Sequence, residues 1–479
     1  MPERSFVYDL AIIGAGPGGY VAAIKAAQSG IKTALIEKGM VGGVCLHWGC
    51  IPTKTLLYSA GIYDKLKKAR DYGIVIDTLN VDYSQFHRRK ESVVSRLYQG
   101  VQFLLKKNGV EVIEGEGQLI SPNEILIKKN GTDIGNIRAK NVILATGSSP
   151  FVPKGIPHNR KNVFTSDDIL IHEEIPKSII IAGGGAVGSE YAYLFNVLGT
   201  KVKIVELMDT ILPAEDKEIS TTLGKIFTRR GIDILVGTSL EDVEINDKGV
   251  RAKIKRKDTL SSPPPSITED TDYLEADYLL LALGRIPTLE HLGIENVSLG
   301  LKGKYVQVNN NMETFQKGIF AIGDIAGPPL LAHKALNEGL AAVAHISGKG
   351  VPAIQYQNIP RVTYCLPQVA SIGLTSEEAE NKGLRVKVGK FPLAANSKAV
   401  IEGEYQDGFI KIITDEKYHE ILGVHAIGSN VSELLWGISL ATILEGTSIE
   451  LTRCIFPHPT LSEALLEAAQ AATDKSIHL

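Results

Sequence analysis

The sequence is short of cysteine, of net charge and of long apolar runs, and each shortage removes a class of protein. Only four cysteines, at positions 45, 50, 365 and 454, occur in 479 residues, too few to staple a secreted disulfide scaffold of this length. A formal net charge of -3 provides no basic field for nucleic acid or an anionic membrane surface, so neither is expected as a partner. No uninterrupted apolar stretch reaches the roughly 18 to 20 residues of a membrane-spanning helix. The opening MPERSFVYDLAIIGAGPGG passes from charge through a short apolar run straight into a glycine turn, with no small-residue cleavage site after it. No signal peptide is expected, and the cytoplasm is the default location. What remains is 44% hydrophobic and 22% charged, an ordinary globular balance. The length exceeds what one hydrophobic core supports, so several domains are expected.

Residues 8–37 read as strand, glycine turn, alanine-rich helix ending near Gly30, and second strand. The same grammar returns at 178–206, where Gly183, Gly185 and Gly188 stand 169 residues after Gly14, Gly16 and Gly19. Repetition of a whole βαβ unit implies two doubly wound domains, each able to hold a dinucleotide at a strand-to-helix turn. NVILATGSSP at 141–150 and YLLLALGRIP at 278–287 are alike and are expected at equivalent places in the two. SSPPPS at 261–266 reads as a surface loop, because proline fixes φ and removes a donor. After Gly350 short strands such as GFIKIIT alternate with helices such as SELLWGISLATILEG. The expected fold is therefore α/β: two Rossmann-like domains, one inserted in the other, followed by a C-terminal α+β domain. The segments are 1–150 and 284–354 for the first domain, 151–283 for the inserted one and 355–479 for the last.

Each glycine turn follows an apolar strand, opens a helix, and has a glutamate 18 residues after its last glycine, Glu37 in one copy and Glu206 in the other. The first glycine makes the turn, the second admits a pyrophosphate and the third lets helix and strand pack closely. The helix start supplies unpaired N–H donors. Each glutamate would accept from a ribose hydroxyl, and a 2′-phosphate would be repelled. Leu207, Met208 and Asp209 bring no cation that could neutralise one, so the second site is expected to take NAD rather than NADP. Glycines that only make tight turns would have to arise twice with a matching acid.

Cys45 and Cys50 lie in GGVCLHWGCIPTK. Their spacing is not the CxxC of a thioredoxin-like site, and no further cysteine or histidine stands at zinc-like intervals, so no metal is expected. A bridge needs Cα atoms within about 7 Å, which a turn or helix start can supply and an extended strand cannot. A redox pair is the favoured reading, with two separate core thiols as the alternative. Cys365 and Cys454 read as small buried hydrophobes.

A first GxGxxG followed by GGVCLHWGCIPTK resembles the pyridine nucleotide-disulfide oxidoreductases of the glutathione reductase type, and the likeness runs essentially end to end. FPHPTLSEALLEAA together with Glu206 is most similar to the branch that reoxidises dihydrolipoyl groups. The resemblance implies FAD in the first cradle, with Gly14, Gly16, Gly19 and Glu37 on its ADP part, Asp324 on its ribityl side and Lys54 by the flavin ring. It adds FAD contacts from Gly117, Thr146, Gly147, Ser148 and Ala332. NAD would meet Gly183, Gly185, Gly188, Glu190, Glu206, Val243 and Gly284. It also implies that Cys45 meets the substrate and Cys50 the flavin, with His458 as acid–base catalyst and Glu463 holding its other ring nitrogen. Thr460 to Glu463 is equally a TxxE capping box. A homodimer is implied, in which His458 completes the neighbouring subunit's site. Lipoyl domains of 2-oxo acid dehydrogenase complexes, or the glycine cleavage H protein, are the implied partners. The family's motif often has asparagine where His47 stands and another residue at Trp48, which leaves the loop's packing open. Glu206 disfavours a glutathione reductase. The tail ATDKSIHL, without a cysteine pair, disfavours mercuric and large thioredoxin reductases. A non-catalytic nucleotide-binding subunit would not need both thiols, Lys54 and His458.

Overall fold

The computed structural model describes residues 6–257, 272–350, 352–403, 406–473 and 476–479. The loop expected at 261–266 lies outside them. Among the described residues no helix is long and apolar enough to cross a membrane. Two units are formed, each from separated stretches of chain.

The first unit takes Met1–Leu56, Ser84–Phe151 and Arg285–Ile354. Its sheet has the strand order Glu111–Glu114, Thr33–Glu37, Phe6–Ile13, Thr132–Leu144, Glu124–Lys129, Glu116–Ser121, and Ile319–Ala321 pairs with Thr132–Leu144 as well. The pairings around Phe6–Ile13, and those of Glu111–Glu114 and Ile319–Ala321, are parallel. Leu10, Ala11 and Ile12 are all fully buried, because a central parallel strand is covered on both faces and its sequence runs apolar without alternation. Leu10 and Ile12 pack with Ala22, Ala23 and Ala26 of the helix Pro17–Gln28. Ala11 and Ile13 belong to the core on the other face, with Ile36 and Leu144. The small-residue face of that helix admits a second helix, Ala332–Ile346, at close range. A Cβ on Gly18 would lie 2.9 Å from the Ala335 carbonyl oxygen, and one on Gly339 would lie 2.7 Å from that of Gly18.

The second unit takes Leu57–Tyr83, Val152–Gly284 and Gln355–Leu479. Five parallel strands stand in the order Asp233–Leu235, Lys201–Val205, Ser178–Ala182, Tyr278–Leu281, Val163–Thr165. Tyr278–Leu281 thus lies beside Ser178–Ala182 as Thr132–Leu144 lies beside Phe6–Ile13, the equivalence expected of the two similar segments. Thr238–Asn246, Gly249–Arg256 and Tyr273–Ala276 form a small antiparallel sheet. The C-terminal part is α+β, as expected: an antiparallel sheet ordered Arg361–Thr363, Gln368–Gly373, Ile421–Gly428, Phe409–Asp415, Val386–Pro392. Ile410 and Ile412 share a core with Leu435, Ile438, Leu465 and Ala468 of the helices Leu435–Ile443 and Glu463–Thr473.

A polar row crosses the C-terminal sheet. Arg361, Ser371, His425, Lys411 and Lys390 stand opposite one another from strand to strand. Three of them reach acidic side chains at the start of the helix Lys217–Arg229. Lys411 Nζ lies 2.9 Å from both Asp216 Oδ1 and Glu218 Oε1, Lys390 Nζ 2.5 Å from Glu218 Oε2, and Arg361 Nε 3.2 Å from Glu215 Oε1.

Candidate active site and dinucleotide cradles

The two glycine turns are superimposable in their bonding. Gly14 N–H donates to Ile36 O and Gly183 N–H to Val205 O, each at 2.8 Å. Gly14 and Gly183 have φ of +103° and +104°, and a Cβ on either would sit 2.3 Å from a carbonyl oxygen of the neighbouring strand's turn. The third glycines are just as constrained: a Cβ on Gly19 or Gly188 would be 1.9 Å from the carbonyl oxygen of Gly14 or Gly183. Beside Gly16 and Gly185, by contrast, a Cβ would meet nothing within 4 Å. Both helices open at those residues without a side-chain cap. Open space next to uncapped amides is what a pyrophosphate requires.

The glutamates do more than the spacing suggests. Glu37 accepts from Ala15 N–H at 2.7 Å and Gly39 N–H at 2.8 Å. Glu206 accepts from Gly184 N–H at 2.6 Å and Met208 N–H at 2.7 Å. Each carboxylate fastens its own glycine turn, and with about four lone-pair sites it retains capacity for a ribose hydroxyl. Lys257 approaches Asp209 at 3.6 Å. Its charge is matched by that aspartate, so no uncompensated cation is added beside Glu206.

In the first unit a cavity is lined by Gly14, Glu37, Gly117 and Thr146, together with Thr288 and His291. It gathers four of the expected FAD residues where an adenosine would follow the pyrophosphate. Next to it Thr146 Oγ1 donates to Thr288 O at 2.6 Å. Ser148 Oγ donates to Asp324 Oδ2 at 2.5 Å, so the ATGS turn and the FAIGD turn are joined. Gly147 has φ +69° and a free Cβ direction. Ala332 opens the helix Ala332–Ile346. Arg285 was missed by the sequence reading: its Nε and Nη2 donate to Ser148 Oγ and O at 2.8 and 2.7 Å. A lone arginine in LGRIP carries no pattern that could have flagged it.

Of the residues expected at NAD, Glu190 is 3% exposed and accepts from Tyr364 N–H at 3.0 Å. Gly284 has φ +95° with open space beside it. Val243 is buried in the core with Ala182, Val205 and Leu281.

Cys45 lies in the short helix Gly43–His47, and Cys50 opens the helix Cys50–Leu66. Trp48 and Gly49 make the turn between them, with Trp48 N–H donating to Val44 O at 2.8 Å. The loop is docked on the first cradle: Gly42 N–H donates to Ala15 O at 2.7 Å, and a Cβ on Gly43 would lie 2.7 Å from Gly16 Cα. His47 and Trp48, whose packing the sequence left open, form a small anchor. His47 Nε2 is 2.9 Å from Val41 O, and its ring lies 5.3 Å from those of Trp48 and Tyr98. The sulfurs are neighbours and both are thiols. The hydrogen bond to Cys50, then burial and the charge on Cys50, push the Cys45 thiol far up, against a pull from Lys54. Cys365 is buried, as expected, whereas Cys454 is exposed.

In the second unit Glu463 divides its two oxygens between His458 and Thr460. Oε1 is 2.9 Å from His458 Nδ1, and Oε2 accepts from Thr460 N–H at 2.8 Å. Only the Glu463 half of the capping box forms, and Thr460 Oγ1 donates to Pro457 O at 2.8 Å. Burial pushes the Glu463 carboxyl up, and the Thr460 amide with His458 more than reverses that, leaving it below its ordinary value. The His458 side chain is 69% exposed with Nδ1 engaged, so Nε2 is the nitrogen presented outward.

Residues 8–339 match the family described as pyridine nucleotide-disulphide oxidoreductase, and residues 359–469 match that family's dimerisation domain. The chain is 40% identical over 479 residues to a dihydrolipoyl dehydrogenase of Bacillus subtilis, covering 98% of this chain and 99% of the relative. It is 39% identical over 472 residues to one of Zymomonas mobilis, with 98% and 99% covered. Among solved structures, LpdA from Mycobacterium tuberculosis superimposes with a TM-score of 0.88 at 26% identity, covering 97% of this chain and 99% of that one.

Proposed function

This chain belongs to the pyridine nucleotide-disulphide oxidoreductase family, and from that premise we infer an FAD-dependent enzyme that oxidises dihydrolipoyl groups and reduces NAD. The observation that carries this reading is the Cys45–Cys50 pair, set on a helix start and docked against the first glycine turn. Full-length likeness to dihydrolipoyl dehydrogenases supplies the substrate class.

The net reaction turns a dihydrolipoyl dithiol and NAD+ into the cyclic disulfide, NADH and a proton. With Cys45 and Cys50 joined as a disulfide, His458 Nε2 takes the proton of one substrate thiol. That sulfur attacks Cys45, the Cys45–Cys50 bond breaks, and Cys50 leaves as thiolate. His458 gives that first proton to solvent, the one released in the net reaction, and takes the proton of the second substrate thiol. The second sulfur then attacks the first, closing the lipoyl ring and releasing Cys45, which takes the proton from His458. Glu463 holds Nδ1 throughout, so that Nε2 accepts and returns the proton. FAD, held by the Gly14–Gly19 turn, Glu37, the Thr146–Ser148 turn and Asp324, supplies the relay of the electron pair from the dithiol to NAD. NAD is held by the Gly183–Gly188 turn, Glu206 and the Gly284 turn. Lys54, one helical turn after Cys50, places a positive charge beside the sulfurs. The division in which Cys45 meets the substrate and Cys50 faces the flavin rests on the family resemblance.

The functional unit is read as a homodimer, supported by the dimerisation-domain match, with His458 of one copy serving the cysteines of the other. The segments 1–150 and 284–354 form the FAD-binding part, 151–283 the NAD-binding part and 355–479 the dimerisation part. The partners are lipoyl domains of 2-oxo acid dehydrogenase complexes or the glycine cleavage H protein, in the cytoplasm.

Purified protein given dihydrolipoamide and NAD should form NADH, and glutathione disulfide with NADPH should not be turned over. Silence with the first pair, or turnover of the second, refutes the substrate assignment. Cys50→Ser should stay yellow and lose turnover; retained turnover excludes the disulfide from the reaction.

A further inference from the structure

We propose that the buried ion pair Lys334–Glu338 is a positioning device for FAD, pinning the turn Gly323–Gly327 so that Asp324 is held at the flavin's ribityl side. The proposal rests on the reading of Asp324 as an FAD contact.

The two residues lie one turn apart on the helix Ala332–Ile346. On a helix surface such a pair contributes little. Here both side chains are 1% exposed, with Nζ and Oε1 3.2 Å apart, and burying two charges costs several kcal/mol per ion unless every donor finds a partner. The partners are found in one place. Lys334 Nζ donates to Gly323 O at 3.0 Å and to Gly327 O at 2.6 Å. Together with Glu338, these account for its three protons. Glu338 Oε2 accepts from Gly323 N–H at 2.7 Å. Both ends of the turn are thus held from beneath.

Asp324 stands between those ends, its carboxylate receiving the Ser148 hydroxyl from the other side at 2.5 Å. Gly323 and Gly327 have φ of +71° and +115°, a backbone that does not hold its shape through side-chain sterics and gains from being fixed. The helix bearing the pair is itself fitted to the helix of the first cradle through Gly18 and Gly339. A chain of close contacts therefore joins the turn bearing Asp324 to the helix that opens at the first glycine turn. Both charges act on Asp324 through the turn, so they are positioning residues.

The decisive variant replaces both partners, Lys334→Met with Glu338→Met. Exchanging a buried pair for apolar side chains of similar volume is often neutral for stability, so the thermal midpoint should stay close to wild type while the turn loses its pins. FAD release from the holoenzyme, followed by flavin fluorescence on dilution, should accelerate about tenfold or more, which corresponds to about 1.4 kcal/mol. The visible circular dichroism of the bound flavin should change as well. Glu338→Gln, which keeps the volume and removes the partner charge, should move both readouts in the same direction. Should the double variant fail to fold, that single variant decides. Wild-type release rate and unchanged dichroism overturn the proposal. Failure of the underlying reading looks different: either the wild-type protein carries no FAD, or Asp324→Asn leaves FAD release untouched.

Discussion

A methyl group at Gly188 would fall 1.9 Å from the Gly183 carbonyl oxygen, whereas one at Gly185 meets nothing within 4 Å. The two glycines of one motif therefore fail differently. Gly188→Ala must push the helix off its strand and should lower the thermal midpoint strongly, as core overpacking does. Gly185→Ala should fold normally but raise the KM for NAD about tenfold or more, because the methyl takes pyrophosphate space. Equal effects of the two on stability would remove the argument. Glu463 offers a second dissection. Glu463→Gln keeps an oxygen for Thr460 and a partner for His458 but loses the charge that stabilises the imidazolium, so kcat should fall about 10- to 100-fold with little loss of stability. Glu463→Ala also forfeits the cap and should cost about 1 kcal/mol more in unfolding by urea. At this scale the sequence disclosed glycines and acids at fixed intervals, because backbone geometry dictates those intervals. It hid Lys334 and Glu338, which in AHKALNEG look like an ordinary surface pair. It also hid the bonds of Glu37 and Glu206 to amides 22 residues before them, which exist only once the turn has formed.

Among the elements, the βαβ repeat was readable because a parallel central strand, a glycine turn and a small-residue helix each impose a residue type. The polar row across the C-terminal sheet was not. FIKIITD reads as a strand with Lys411 toward water, yet Lys411 is buried against Asp216, which is fully enclosed. The partner lies 195 residues away in sequence, and no local pattern records it. Lys411→Met should destabilise by about 3–5 kcal/mol, because it leaves the Asp216 carboxylate buried without its cation. Adding Asp216→Asn should recover part of that loss, since asparagine still caps the helix Lys217–Arg229 through the Glu218 amide. Denaturant unfolding of the single and double variants measures both. A single variant as stable as wild type would show that the row does not tie the Lys217–Arg229 helix to the sheet.

For the whole molecule, the shifted titrations point one way on each side of neutrality. Burial pushes up the carboxyls of Asp216, Glu218, Glu467 and Asp168, and their bonds to Lys411, Lys390, Ser476 and Thr165 more than reverse it, leaving all four low. Burial also lowers His425 and His172. When the folded value is depressed, the unfolded chain takes up protons first as pH falls. The contribution is then intact above the unfolded value and lost as pH falls through the folded one. The histidines act first, below about 6.5, and the carboxylates below about 4. On the alkaline side, the bond to Cys50 raises Cys45, burial raises Tyr8 and Tyr83, and burial with Glu174 raises Tyr278 to about 12. There the unfolded chain releases protons first, so stability falls above about 8.5 for the thiol of the reduced enzyme and above about 10 for the phenols. The thermal midpoint of the reduced protein should therefore be level between about 6.5 and 8.5 and decline on both sides. His425→Gln keeps a donor for the Leu374 carbonyl, which His425 Nε2 approaches at 2.8 Å, and removes the titration. In that variant the decline between pH 6.5 and 5 should shrink while the carboxylate limb below about 4 persists. A wild-type midpoint that holds constant from pH 7 to 5 would contradict the assignment of His425 as a buried neutral group whose protonation opposes the fold.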